Sequence, residues 1–132
     1  MKEKFEEIKA FLHDMDLAIV SEDEKEELVV VEDEDSGIKN LVIDCEAPIL
    51  VLEQPILAVS QPKLELFKRL LQMNREMVHG AFVLDETANL VLYRDTLQLE
   101  NLDRNELEAS IQSLSLALSE YGNELLAYAD TP

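Results

Sequence analysis

The 132-residue chain carries 29 acidic against 11 basic side chains, a net charge of −18, yet 47% of it is apolar. Length and apolar content together give one domain, residues 1–132, that buries a core rather than staying disordered. The charge excludes nucleic-acid binding through phosphate neutralisation and adhesion to anionic lipid, and leaves solubility or attraction to a basic partner.

That charge is uneven, because residues 1–35 hold 14 acidic side chains against 4 lysines. A single cysteine, Cys45, excludes an intramolecular disulfide and suits a reducing compartment. The N-terminus lacks the uninterrupted apolar core of a signal peptide. The most apolar run, Ala47–Val59, is too short to span a bilayer and is broken by Glu53, Gln54 and Pro55. The expectation is a cytoplasmic protein without membrane insertion.

Phe5, Ile8, Leu12 and Met15 recur at spacings of three, four and three, so Lys2–Met15 reads as an amphipathic helix with Glu3, Glu6 and Glu7 in its dipole-favoured first turn. Leu17–Val20, Leu28–Val31 and Ile38–Cys45 read as short strands, separated by the acidic turns SEDEKEE and EDEDSG. In the second turn Gly37 can take positive φ. Ala47–Leu52 and Ile56–Val59 read as two further strands parted by Pro55, which cannot donate to a ladder and marks an edge or bend. Ser60 or Gln61 then caps a central helix with Pro62 in its first turn, running to about Val78 and ended by His79-Gly80. Ala81–Leu84 and Leu90–Tyr93 pair as a hairpin across DETAN, whose Asn89 can adopt a left-handed conformation. Asp103 and Glu106 form a capping-box pattern ahead of Leu107, Ile111, Leu114, Leu118 and Tyr121, a helix that Gly122-Asn123 should end or interrupt.

No residue pattern points to catalysis. An EF-hand loop begun at Asp33 puts Gly37 fifth instead of sixth, and one begun at Glu32 ends on Ile43 instead of a bidentate Glu. His13 and His79 have no second ligand at metal spacing, and His79 suits a helix C-terminus. Cys45 lies between Asp44 and Glu46, which disfavour a thiolate. With three glycines there is no phosphate-cradling loop, and no hydrolase, nucleotide or zinc-protease motif occurs. The chain is expected to be no enzyme and to hold no cofactor or metal. The competing class is a small-ligand or metal-binding domain, or a cryptic enzyme, using the acidic N-terminal turns.

The central helix carries two apolar stripes. Leu64, Phe67, Leu71 and Val78 form one, with Asn74 at its margin; Leu66, Leu70, Met73 and Met77 form the other. Together they cover about half the circumference, against roughly 100° for an ordinary surface helix. Either the helix is deeply buried between sheet and C-terminal helix, or the first stripe packs on the sheet and the second meets another subunit. The second reading is preferred, since Met-rich surfaces adapt to partners. With Phe82 on the following strand, Leu66, Leu70, Met73 and Met77 make the candidate dimer or partner interface.

Residues 70–111, LLQMNREMVHGAFVLDETANLVLYRDTLQLENLDRNELEASI, resemble the small acidic chaperones of type III secretion and the related YbjN-like bacterial proteins. The resemblance is carried by Leu70, Leu71, Asn74, Gly80, Phe82, Leu84, Asp85, Leu90 and Leu92: a Leu-rich helix with an Asn, then a strand of the form small–Phe–x–Leu–Asp. It implies an α+β fold in the order α-β-β-β(-β)-α-β-β-α, with an antiparallel sheet. It also implies a homodimer built around the central helix and its following strand, and no catalytic centre. Chaperones of this type hold an unfolded segment of a protein partner against apolar patches, while YbjN-like relatives are linked to stress or sensory regulation. The expected function is therefore a non-enzymatic, homodimeric protein-interaction module, chaperone-like or stress-regulatory.

Overall fold

The computed structural model describes residues 2–129. Helix α1 (Lys2–Asp14) buries Phe5, Ile8 and Leu12, the stripe that the three–four spacing identifies. Strands β1 (Ala18–Asp23), β2 (Leu28–Asp33), β3 (Ile38–Glu46) and β4 (Ile49–Ala58) then form an antiparallel meander. Helix α2 (Leu64–Glu76) leads to the hairpin β5 (Ala81–Leu84) and β6 (Leu90–Gln98), and helix α3 (Arg104–Leu126) closes the chain. The six strands lie in the order β1-β2-β3-β4-β6-β5, so β5 is an edge strand. The fold is α+β, as expected.

Several boundaries differ for identifiable reasons. The two strands expected around Pro55 are one strand, since β4 pairs with β6 along its whole length, with a bulge between Pro55 and Leu57. On its other side β4 pairs with β3 only as far as Glu53. Pro55 thus stands where the missing N–H has no strand to serve. Gln54, buried, takes over there: its side-chain oxygen accepts from the Lys39 N–H at 3.0 Å, and its amide donates to the Gly37 carbonyl at 3.2 Å.

Helix α2 starts at Leu64, two residues after Pro62, so its N-cap position falls on Lys63, which makes no side-chain cap bond, and not on Ser60 or Gln61. It stops at Glu76, because Met77 is already extended (φ −88°, ψ 133°), so Met77, Val78 and His79 lie beyond it and His79 caps nothing. In the β5–β6 turn the left-handed residue is Ala88 (φ 61°), not Asn89. Asp85 organises that turn, its carboxylate accepting from the Asn89 and Leu90 N–H groups at 3.0 and 3.2 Å and from the Thr87 hydroxyl at 3.1 Å. Helix α3 begins on the expected capping box of Asp103 and Glu106 but runs through Gly122 to Leu126. A mid-helix glycine costs about 1 kcal/mol relative to Ala. Burial of Tyr121 and Leu125 on either side offsets it.

All three helices cover one face of the sheet. Ile43, Leu52 and Tyr93 point into a core with Ile8 and Leu12 of α1 and Leu107, Ile111 and Leu114 of α3. Leu57, Val91 and Phe82 point the same way into a second core with Leu66, Leu70 and Met73 of α2 and Ala117, Tyr121 and Leu125 of α3. Alternation along each strand sends Val30, Val42, Glu53, Leu92 and Val83 to the opposite face. No helix covers that face among the described residues.

Candidate interaction surface

Two polar pairings set the rotation of α2 about its axis. On the β5 side, the Asn74 amide pairs with both backbone groups of Phe82: the Phe82 N–H donates to Oδ1 at 2.8 Å, and Nδ2 donates to the Phe82 carbonyl at 3.1 Å. On the α3 side, Arg69 donates to Glu124 at 2.8 Å through its Nη2 and also through Nε, with the guanidinium 5.9 Å from the Tyr121 ring. Lys63 adds a bond from its ammonium to the Tyr128 carbonyl at 2.6 Å. At 100° per residue Arg69 and Asn74 lie about 140° apart, and the stripe between them on the inner side is Leu66, Leu70, Met73 and Met77.

The expected assignment of the two stripes is therefore reversed. Leu66, Leu70, Met73 and Phe82, proposed from sequence as an interface, are buried within the single chain, and Met77 is half-buried past the helix end. They cannot offer a docking patch without unfolding the second core. Of the stripe assigned to the sheet, Leu64, Leu71 and Val78 are 69%, 72% and 87% exposed, and only Phe67 leans on the core. Lys68 and Arg75 stand exposed along the same outer ridge.

Two further apolar surfaces adjoin this ridge. A groove of about 490 Å³ separates the Met77–His79 segment from α3, and exposed Leu116 stands at its rim. On the uncovered sheet face, the ladder registers bring Val30 beside Val42, and Pro55 beside Leu92 beside Val83. Arg94 crosses between these rows to bind Glu53 at 2.8 Å. The hairpin end of that face holds a shallow depression of about 620 Å³ against Leu84, Asp85 and Leu92.

The titratable groups are structural. Burial, then the Glu27 and Asp44 carboxylates, push the Cys45 thiol up to about 11, the opposite of an activated nucleophile. Burial likewise raises Tyr93 to about 12; its hydroxyl donates to the Ser110 carbonyl at 2.9 Å, and the Ser110 hydroxyl donates to Asp95 at 2.6 Å. Asp44, on the open sheet face, rises to about 6 through desolvation and then the neighbouring Glu46 carboxylate. The acidic turn singled out for calcium is a single 3-10 turn, Glu34–Ser36, closed by Gly37 at φ 77°, and Asp33 accepts a 2.8 Å bond from the Ser36 hydroxyl. Among the described residues no three His, Cys, Asp or Glu side chains converge as a metal site, and His13 lies exposed on α1. No helix there is long and apolar enough to cross a membrane.

Sequence reasoning missed the outer ridge as a surface, although Leu64 and Leu71 lie within about 60° of Lys68 and Arg75 on the wheel. It also missed the open sheet face, since nothing local tells on which side three helices will stack.

The CesT_Tir_1 family model matches residues 1–131. No curated protein matches the chain. Its fold recurs among solved structures. The YbjN protein of E. coli superposes with a TM-score of 0.70 at 12% identity, covering 92% of each chain. The HopA1–SchA chaperone–effector complex gives 0.60 at 13% identity, covering 83% of this chain and 86% of that one.

Proposed function

The chain belongs to the CesT_Tir_1 family of type III secretion chaperones, and from that footing we propose that it is a non-enzymatic, homodimeric module that binds a protein partner through apolar surface in the cytoplasm. The observation that carries this reading is the one-sided stacking of α1, α2 and α3. It leaves a sheet face with Val30, Val42, Leu92 and Val83 uncovered and three large apolar side chains of the α2 segment in water. Apolar patches of that kind, rimmed by charge, mark interaction surfaces rather than active sites. The chaperone–effector neighbour supports a protein partner, and the family supports the absence of a catalytic role.

Dimerisation moves off the Leu66–Met73 stripe, which is spent in the core. The open sheet face is the surface we assign to it: two copies related by a two-fold axis would cover each other's Val42 and Leu92 rows. Sedimentation velocity of the wild type and of Leu92→Glu tests this, with a dimer expected for the first and a folded monomer for the second. Affinity capture from the native cell should recover one dominant partner in stoichiometric amount. Recovery of none under several conditions sinks the reading.

A further inference from the structure

No further inference is drawn: the strongest candidate, the apolar groove of about 290 Å³ between the Ile56–Leu57 stretch of β4 and the Leu118–Leu126 stretch of α3, lined by Gly122 and by exposed Leu126, is an unpartnered apolar surface, and nothing in the structure shows what covers it.

Discussion

The side-chain amide of Asn74 does for Phe82 what a neighbouring strand would do: it accepts from the Phe82 N–H at 2.8 Å and donates to the Phe82 carbonyl at 3.1 Å. Strand β5 is the edge of the sheet, and an edge strand with free backbone groups is a template for unwanted pairing. A helix residue eight positions earlier thus seals the centre of that edge and ties α2 to the hairpin. The Asn of the helix and the Phe of the strand, which carry the family resemblance, are one structural unit.

Replacing Asn74 by Leu should cost about 2 kcal/mol, because two half-buried backbone groups lose their partner. Chemical denaturation measures the loss, and the Phe82 amide should lose hydrogen-exchange protection ahead of β6. Asn74→Asp, which keeps the acceptor but not the donor, should fall between the two.

The two stripes of α2 should respond oppositely to charge. Met73→Glu or Leu66→Glu places a carboxylate in the second core and should destabilise by about 3–5 kcal/mol, near the full stability of a small domain. Leu71→Glu, on the exposed ridge, should stay within about 0.5 kcal/mol of wild type. Circular dichroism melts separate the cases, and a folded Met73→Glu protein would contradict the rotation of α2 described above.

Asp44 makes stability depend on pH. Its folded value of about 6 lies above the ordinary carboxyl value of 3.8. The native state therefore binds a proton more readily than the unfolded chain across that interval. The stabilisation from the protonated form is complete below the ordinary value and is lost as pH rises through about 6. Asp44→Asn should raise stability at neutral pH by roughly 1–2 kcal/mol and flatten the profile between mildly acidic and neutral pH. Unfolding by urea at a series of pH values gives both numbers; an Asn variant no more stable than wild type at neutral pH would contradict this.

Gly80 is held by space as well as by conformation. It sits at φ 72°, and a Cβ there would come within 2.4 Å of the Tyr93 hydroxyl oxygen. Tyr93 is fully buried and its hydroxyl is bonded to the Ser110 carbonyl, so it cannot swing away without breaking that bond. Gly80→Ala should cost about 2 kcal/mol or more, whereas Tyr93→Phe should cost about 1 kcal/mol for the single hydrogen bond. Equal melting temperatures for Gly80→Ala and wild type would show that the Tyr93 ring has room to move.

The sequence by itself determined the elements whose signal is local. The three–four spacing of Phe5, Ile8 and Leu12, the Asp103–Glu106 capping box and the alternation around Ile43 each depend on neighbours within one or two turns. The order of helices and strands, and with it the α+β fold, followed. Strand continuity across Pro55 did not, because the ladder to β6 and the rescue by Gln54 involve residues 15 to 49 positions away in the chain.

The facing of α2 was decided only by tertiary structure. On the helical wheel its polar arc centres near 80°, and the two apolar stripes lie about 110° and 130° from it, nearly a tie. Burial energy alone cannot break such a tie, since both stripes are similarly apolar. Arg69 reaching Glu124 on one flank and Asn74 reaching Phe82 on the other turn Leu66, Leu70 and Met73 inward. That rotation leaves Leu64, Leu71, Lys68 and Arg75 facing water, because polar pairings across 55 and 8 residues are invisible to a local pattern.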